Sequence, residues 1–392
     1  MPALNRRLPA VFFLLIGAMH VSNGYAENAP QPGTPYATLP VFDALSEAEW
    51  RRVDKSVARG LEWLAKHVGA NGGFDTHSAG QPAVTSLVTM AFLSRGHRPG
   101  AGPYGKMLDL MIDYTLSKQN PDGLFCMDAV TEPQVIWGHS SHTATYNHAI
   151  AGLMLSEAYG LTDSAREKKI REAIIKGLAY ARKMQRRPSP YPLDKGGVRY
   201  PLHLHAPFPT KGEADLSVTG WYVMFYRSAR NAEFDVPEDY VREALEFVLN
   251  CYDKKSGGFV YGPYPDDYKV GRGMTGAGLL CLSMAGERKS AIARSAGEWI
   301  VRHPFTQYHD SVGGSDRFHY GAYYCSQAMF MLGGDYWRDF YPPLAQTLLD
   351  NQRPDGSWVA DRADARFAEP YATALSILSL TPPYQLLPIY QR

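Results

Sequence analysis

The chain has 392 residues, of which 45% are hydrophobic and 20% are charged, and this composition excludes both a disordered chain and a collagen-like repeat. Its formal net charge is +1, with lysine and arginine interspersed among aspartate and glutamate. This balance excludes nucleic acid as an electrostatically attracted partner and provides no polybasic surface for anionic lipid.

The first 26 residues have the pattern of a secretory signal peptide. Arg6 and Arg7 precede an apolar run over residues 8–19, and residues 24–26 form a small-x-small cleavage site. The apolar run falls short of the roughly 20 residues that a membrane-spanning helix needs. We therefore expect an exported protein, periplasmic or extracellular, without a transmembrane span, followed by a flexible leader over residues 27–45.

Residues 46–392 are predicted to form a single domain that begins with an amphipathic helix. Ser46 and Glu49 make a capping box, and apolar residues follow at spacings of three and four. A second capping box is predicted at Ser164 and Glu167, and Pro237 is predicted to lie in the first turn of another helix. These amphipathic helices can face water on one side.

A helix, a Gly-rich turn and a second, more apolar helix recur six times along the chain. The turns lie at residues 71–74, 121–125, 195–198, 256–259, 312–314 and 354–358. The second helices are predicted over residues 84–93, 143–159, 217–230, 275–285, 322–332 and 372–380. Since no segment alternates polar and apolar residues, we predict an all-α fold with little or no sheet, in which about six hairpins close into an α/α toroid with the apolar helices inside.

The four cysteines of the chain permit three full disulfide pairings in an oxidising compartment. Two of them lie inside apolar helical runs, where cysteine packs as a small hydrophobic residue. We expect buried free thiols at Cys126, Cys251, Cys281 and Cys325.

The sixth turn carries a motif that resembles a known family. Residues 352–358 match the Gln-x-x-x-Gly-x-Trp core of the QW repeat of squalene and hopene cyclases, and residues 119–125 keep the spacing with Phe in place of Trp. The other turns keep glycine and a bulky apolar residue, but Val68 and Asp253 stand where Gln would be. Over residues 46–382 the chain resembles the prenyltransferase and squalene-cyclase repeat superfamily, which includes terpenoid cyclases and implies the α/α toroid.

The resemblance implies a candidate general acid. Triterpene cyclases carry an Asp-x-Asp-Asp-Thr signature at the start of an inner helix, and the nearest segment here is residues 213–217. On that match Asp215 is the acid, and Glu213 helps to keep it protonated by like-charge repulsion. The alternative is that Asp215 caps the following helix, a role that lowers the pKa of a carboxyl group.

Cyclases also place aromatic faces around a carbocation. The candidates at the starts of the inner helices are Tyr146, Trp221, Tyr222, His319, Tyr320, Tyr323, Tyr324 and Tyr371. With 25 tyrosines in the chain, packing with a hydrogen-bonded hydroxyl is the alternative role for these side chains.

The sequence offers two candidate metal sites, and neither is predicted. Zinc-dependent protein prenyltransferases of the superfamily use an Asp-x-Cys pair and a later His; residues 317–319 resemble the His element, but residues 274–278 contain no ligand. The second candidate is a cluster of histidines without carboxylate or cysteine support, namely His139, His142, His148, His203 and His205. We predict no metal and no cofactor.

The predicted function is that of an exported, terpenoid-cyclase-like toroid whose aromatic-lined central cavity binds an apolar, isoprenoid-type molecule. Any activity would be acid-catalysed cyclisation or isomerisation. The first alternative is a non-catalytic envelope scaffold that binds a protein or polysaccharide through one face of the ring. The second is a polysaccharide lyase or hydrolase, which requires carboxylates or arginines grouped in the cavity; the sequence offers Glu213, Asp215 and residues 369–371.

Overall fold

The computed structural model describes residues 42–130, 140–201, 212–265, 268–312, 316–384 and 386–390. Over these ranges it contains twelve α-helices and a few short 3-10 turns, and the extended pairing consists of isolated bridges without a strand. The predicted signal peptide, most of the predicted leader and the predicted turn at 312–314 lie largely outside the described residues. None of the described helices is long and apolar enough to cross a membrane.

Six helices form an outer layer and six form an inner layer. The outer helices are α1 Glu47–Lys66, α3 Gly105–Leu116, α5 Ser164–Gln185, α7 Glu238–Asn250, α9 Ala291–Val301 and α11 Gly334–Asp350. The inner helices are α2 Ala83–Leu93, α4 Ser140–Ala158, α6 Leu216–Asn231, α8 Arg272–Met284, α10 Phe318–Leu332 and α12 Ala368–Leu380.

The inner helices pack in a closed ring. Helix α2 contacts α4, and the series continues through α6, α8, α10 and α12 back to α2. The outer helices pack on the inner ring, and α11 contacts both α9 and α1. Every residue of α2 is buried, whereas α1 buries one apolar face, which is the contrast that the sequence pattern predicted. The α/α toroid of six hairpins is confirmed.

Local capping signals were read correctly at one helix and incorrectly at two. At α1 the Glu49 side chain accepts from the Ser46 backbone N–H at 2.7 Å, as a capping box requires. At α5 the capping box predicted at Ser164 is wrong, because Asp163 caps the helix one residue earlier. Its carboxylate accepts two backbone N–H groups of the first turn. Pro237 occupies the cap position of α7 rather than its first turn.

Each described turn between an outer and an inner helix contains a glycine with positive φ, packed against the next outer helix. The glycines are Gly72, Gly123, Gly196, Gly257 and Gly356. Gly356 has φ +100, and a Cβ there would lie 2.5 Å from the carbonyl oxygen of Arg59 in α1. Since L side chains rarely adopt this φ, glycine allows the last turn to rest on the first helix.

Glutamine side chains connect these turns to the neighbouring outer helices. Gln352 donates to the carbonyl oxygens of Ser56 in α1 and Gly356, at 2.9 and 2.8 Å. Gln119 bonds in the same way to α5, and Gln185, which the sequence pattern missed, bonds to α7. The accepting carbonyls of α1 and α5 lie within those helices and not at their ends. Gln352 therefore links the last hairpin to the first.

Inner helices point the same way, so the two faces of the ring differ. The first turns of α4, α6 and α10 are joined by hydrogen bonds on one face. On the opposite face, the C-terminal segment covers the helix ends with Leu387 and Ile389, both buried. Tyr384 in this segment bonds to Asp54 of α1 and lies under the guanidinium of Arg95.

Candidate functional site

Five half-buried tyrosines converge on the face where the inner helices begin. Tyr146, Tyr320 and Tyr371 lie in the first two turns of α4, α10 and α12. Tyr200 and Tyr261 follow the glycine turns of the third and fourth hairpins. We call these five residues the tyrosine mouth. Partial exposure of side chains from five separate segments marks it as the accessible part of the inner ring.

Asp215 lies beside the tyrosine mouth at the N-terminus of α6 and is 2% exposed. Its Oδ1 accepts from the Val218 backbone N–H at 2.9 Å and from the Ser217 hydroxyl at 2.6 Å. Its Oδ2 accepts from the Tyr261 hydroxyl at 2.9 Å. Asp215 is therefore the helix cap that the sequence allowed, but it has a second oxygen directed toward the tyrosines.

Burial raises the pKa of Asp215, and the hydrogen bonds from Ser217 and Val218 lower it by a smaller amount. From the sequence, capping and proton donation are opposing roles for Asp215, because capping lowers the pKa of a carboxyl group. The structure has both effects, and burial is the larger. A carboxyl group with a raised pKa and an oxygen facing hydroxyl groups has the chemistry of a proton donor.

Glu213 is paired with two arginines. Its carboxylate is 3.2 Å from Nη1 of the buried Arg199 and 3.9 Å from Nη2 of Arg187. These cations offset the negative charge of Glu213, which we expected to disfavour ionisation of Asp215. Burial is thus the largest cause of the raised pKa of Asp215, and the like-charge repulsion by Glu213 stays a prediction.

Hydroxyl groups extend from both oxygens of Asp215. On the Oδ2 side, the Tyr261 and Tyr200 hydroxyls lie 2.9 Å apart. On the Oδ1 side, the Tyr146 hydroxyl is 2.5 Å from the Ser217 hydroxyl. The Tyr320 hydroxyl donates to the Ser217 carbonyl oxygen at 2.9 Å, which joins α10 to α6. Four of the five mouth tyrosines therefore belong to one network centred on Asp215.

Below the mouth, aromatic rings fill the centre of the toroid. Trp221 of α6 stacks on Tyr323 of α10 with ring centroids 5.3 Å apart and meets the edge of Tyr324 at 5.2 Å. Helices α6 and α10 are separated in the ring by α8, so these contacts cross the lumen. The three side chains form a floor across the lumen beneath the tyrosine mouth.

Two aromatic candidates lie away from the mouth. Tyr222 is fully buried, with its ring 5.8 Å from that of His148 on the outward side of α6. His319 faces the preceding loop, where its Nε2 lies 3.0 Å from the Tyr308 hydroxyl. Burial and, after it, the charge of His309 lower the pKa of His319 to about 3, so it is neutral. Adjacent residues on a helix point about 100° apart around its axis. Tyr222 and His319 therefore point away from Trp221 and Tyr320, which precede and follow them in the sequence.

A second carboxyl group approaches the mouth from the segment just before α12. Asp364 is 2% exposed, is paired with Arg317, and has an Oδ2 atom without a hydrogen bond. Burial raises its pKa to about 6, against the opposing effect of Arg317. Burial also raises the pKa of Tyr371, followed by the charge of Asp364. Tyr146 adds a smaller increase to the same pKa. Arg317 and Asp364 thus lie on the side of the mouth opposite Asp215.

The histidine cluster weighed as a metal site has a structural role where it is described. His148 is buried; its Nδ1 accepts from the Phe125 backbone N–H at 3.3 Å and its Nε2 lies 3.0 Å from the Gly177 carbonyl oxygen. Both ring nitrogens are therefore occupied. The side chains of the other four histidines, His139, His142, His203 and His205, lie outside the described residues. Among the side chains described, no group of three metal-ligating residues occurs.

Tyr200 and Tyr261 were missed because they lie in loops, where we read no periodic pattern. A signal does exist: each is the fourth residue after the positive-φ glycine of its hairpin, Gly196 and Gly257. Superposing the repeats on these glycines would have placed both tyrosines at one level of the ring. Asp364 had no such signal, since it lies immediately before the 3-10 turn Ala365–Phe367, outside the repeated glycine turn.

Comparisons with known proteins support the fold. Neither a family model nor a curated protein matches the sequence. The type II terpene cyclase MstE from Scytonema is a structural neighbour with TM-score 0.54 and 16% identity, covering 88% of this chain and 100% of the cyclase. An α-1,6-mannanase of glycoside hydrolase family 76 from Salegentibacter has TM-score 0.58 and 9% identity, covering 85% and 99%.

A third neighbour is the Candida albicans protein geranylgeranyltransferase-I, with TM-score 0.50 and 13% identity, covering 83% of this chain and 90% of that chain. The fold is therefore shared by terpene cyclases, prenyltransferases and glycosidases. At these identities the likeness concerns the backbone, and function has to be argued from the side chains at the mouth.

Proposed function

We propose that this α/α toroid is an exported acid catalyst of the cyclase type, in which Asp215 donates a proton to a carbon–carbon double bond of an isoprenoid-type molecule held at the tyrosine mouth. The observation that carries the proposal is the environment of Asp215. Its carboxyl group is buried at the start of an inner helix, and among the described residues its hydrogen-bond partners are hydroxyl groups and a backbone N–H, without a cation.

Protonating an alkene requires an acid that still carries its proton when the substrate binds and that is shielded from solvent. Because burial raises the pKa of Asp215, the carboxyl group holds its proton nearer to neutral pH than an exposed aspartate does. An apolar substrate over the mouth would remove the remaining water and strengthen this effect. The carboxyl group then transfers its proton from Oδ2, the oxygen that is not part of the helix cap.

The resulting carbocation needs an electron-rich surface without a nucleophile. The ring of Tyr320 packs 6.5 Å from Trp221, so the mouth and the floor present aromatic faces near Asp215. The neighbour MstE has been solved with geranylgeranyl dihydroxybenzoate, an alkene chain on an aromatic acid. Because the floor fills the lumen here, the substrate is proposed to lie across the mouth and not along the ring axis.

The test is to incubate the purified protein with geranylgeranyl dihydroxybenzoate and related prenyl alkenes and to analyse the extracts by mass spectrometry with chromatography. Asp215→Asn is expected to lower the rate of product formation by about 100-fold or more, the scale of general acid catalysis. Asp163→Asn is the matched control, because Asp163 also caps a helix but is exposed on the outer layer. Equal activity in both variants would contradict the role of Asp215.

A second candidate is hydrolysis of a glycan, favoured by the presence of two buried carboxyl groups with raised pKa at one mouth. Glycosidases commonly use two carboxyl groups, one of which holds its proton at working pH. Asp364, next to Arg317 and Tyr371, provides the group that the sequence did not reveal. The structural likeness to a mannanase that binds α-1,6-mannotriose names a first substrate.

Incubation with α-1,6-mannotriose separates the candidates. Hydrolysis that is lost in Asp215→Asn and also in Asp364→Asn would support the glycosidase, because both carboxyl groups would then be essential. Turnover of the alkene that persists in Asp364→Asn would support the cyclase. A protein that turns over neither substrate but retains an envelope protein or polysaccharide would support the scaffold.

A further inference from the structure

The C-terminal segment crosses the end of the ring that lies opposite the mouth. Leu386 lies beside Gly96, just past α2, where a Cβ would be 3.4 Å from Cδ1 of Leu386. Three residues later, the backbone N–H of Ile389 donates to Glu157 near the end of α4, at 3.3 Å. The 3-10 turn Pro388–Tyr390 also packs on α6. The segment therefore runs from the α12 and α2 side of the ring to the α4 and α6 side.

The segment fills this end of the ring with apolar side chains. Leu387 and Ile389 are 4% and 2% exposed. Leu386 and Leu387 border a cavity of about 10 Å³, whose other walls include Gln327 of α10 and Leu378 of α12. A cavity of this size admits a single water molecule. If the segment were displaced, the cavity would widen into an apolar pocket by the volume of two leucine side chains.

The wall of this cavity contains a buried hydrogen-bond acceptor, the Oε1 atom of Gln327. Gln327 is 1% exposed and its Nε2 donates to the Leu378 carbonyl oxygen at 2.8 Å, whereas Oε1 accepts no hydrogen bond from the described residues. The neighbouring hydroxyl groups are satisfied, because Thr381 donates to Ser94 and Ser94 donates to the Ala91 carbonyl oxygen. Since a buried acceptor without a donor is unfavourable, the pocket has a place for one donor group.

Beyond Tyr384, long hydrogen bonds hold the segment on the ring. Besides the bond from Ile389 to Glu157, the side chain of Asn231 donates to the Pro388 carbonyl oxygen at 3.4 Å. Both exceed the usual N–H···O distance of about 2.9 Å. Closure of the ring does not require them, since α12 packs directly on α2. Terminal segments with few strong hydrogen bonds open at a lower free energy than a protein core, so this segment can leave while the ring stays closed.

We propose that this end of the toroid is a second binding site, for an apolar molecule that carries a hydroxyl group, and that the C-terminal segment occupies it as an internal competitor. The apolar part of the molecule takes the places of Leu386 and Leu387, and its hydroxyl group donates to Oε1 of Gln327. Binding of the molecule therefore releases the segment. The site is independent of the proposed acid catalysis, because it involves neither Asp215 nor the tyrosine mouth.

Decan-1-ol and decyl methyl ether form a matched pair of probes, because only the alcohol can donate a hydrogen bond. Neither contains a double bond or a glycosidic bond, so neither is a substrate for the chemistry proposed at the mouth. In isothermal titration calorimetry, the wild-type protein is expected to bind the alcohol about tenfold more tightly than the ether, the effect of one satisfied buried acceptor. Gln327→Met removes the acceptor, keeps the length of the side chain and should lose this preference. A purely structural defect would weaken binding of both probes alike.

Hydrogen–deuterium exchange measures displacement of the segment. Saturating decan-1-ol should accelerate exchange of a peptide covering residues 386–390 by at least about fivefold and leave exchange at the mouth unchanged. Leu387→Ala weakens the internal competitor and should tighten decan-1-ol binding by at least about threefold, because more of the protein is then competent to bind. Leu249→Ala, exposed on α7, is the control and should bind as the wild-type protein does.

Equal affinities of the wild-type protein for the alcohol and the ether would overturn the second site, as would binding without faster exchange of residues 386–390. Absence of binding in Leu387→Ala would also overturn it and would leave an ordered water as the partner of Gln327. None of these results bears on Asp215, whose role is tested by turnover of alkenes.

Discussion

Among single residues, burial determines the protonation of the carboxyl groups on the inner ring. Asp215 and Asp364 lie at the mouth, and Glu157 lies at the opposite end of α4. Burial is the largest cause of the raised pKa in all three. The sequence singles out Asp215 but not Asp364 or Glu157, because the same side chains on the outer layer would be ordinary solvent-exposed acids.

The carboxyl group of Glu157 is expected to make the stability of the protein depend on pH. Burial raises its pKa to about 7 from an ordinary value of 4.5, with hydrogen bonds from Ser228 and the Ile389 backbone N–H opposing this shift. Between these values the folded protein binds a proton that the unfolded chain does not. The stabilisation that protonated Glu157 contributes is therefore fully present below pH 4.5. The free energy of unfolding falls by about 3 kcal/mol as the pH rises from there to 7.

Denaturant unfolding at several pH values checks this slope. Glu157→Gln keeps a side chain of the same shape and is expected to be relatively more stable than the wild type as pH rises. Glu172→Gln, exposed on α5, is the control and should retain the wild-type slope. Parallel curves for wild type and Glu157→Gln across this range would show that Glu157 is not protonated in the folded state.

Thiol chemistry offers a second prediction at the same scale. All four cysteines are free and buried, as expected from the sequence. Burial raises the pKa of Cys126 to about 11 and that of Cys281 to about 12, so few thiolates are available to react. A disulfide reagent such as DTNB should leave the native protein unmodified and titrate four thiols after unfolding without reductant. A lower number after unfolding would reveal a disulfide.

Between elements, repeated polar contacts hold each turn in position. The backbone N–H of the bulky residue in the turn donates to a threonine hydroxyl of the following inner helix at Thr219, Thr275 and Thr373, or to His148 in the second hairpin. His148 thus occupies the position of a structural threonine. This equivalence explains why a conspicuous histidine has no place at the mouth.

The seam is the interface between the last and first hairpins, and the glutamine contacts predict how much Gln352 stabilises it. Gln352→Ala would remove the side-chain donor to the carbonyl oxygens of Ser56 and Gly356 and is expected to lower the free energy of unfolding by about 1–2 kcal/mol. Gln346→Ala, exposed on α11, should change it by less than about 0.5 kcal/mol. Equal effects in denaturant titrations would show that the glutamine does not hold the seam.

Across the whole molecule, stability depends on closure of the ring. Helix α12 is the element that joins α10 to α2, and α11 packs against α1. Removing residues 334–392 would expose the apolar sides of α2 and α10 together, a cost that a closed repeat array avoids. We expect the shortened chain to retain helical circular dichroism but to lose its near-ultraviolet signal and single cooperative thermal transition. A sharp transition near that of the full chain would argue against closure as the source of cooperativity.

The architecture could be predicted from the sequence because its causes are local. Glycine turns, amphipathic outer helices and apolar inner helices depend on residues a few positions apart, and six repeats of one unit imply a closed ring. The same local rules placed Asp215 at the start of α6. They erred by one residue at α5, where Asp163 and Ser164 are both good caps and side-chain geometry selects between them.

The site itself was decided by tertiary structure. Tyr146, Asp215, Tyr261 and Tyr320 belong to different hairpins, and only ring closure brings their hydroxyls within hydrogen-bond distance. Whether an aromatic residue faces the mouth, the floor or an outer helix depends on its angle around an inner helix that is buried on all sides. Hydrophobic periodicity has no preferred face in such a helix. The sequence therefore determined the ring and its acid candidate, while packing determined which side chains surround it and raised its pKa.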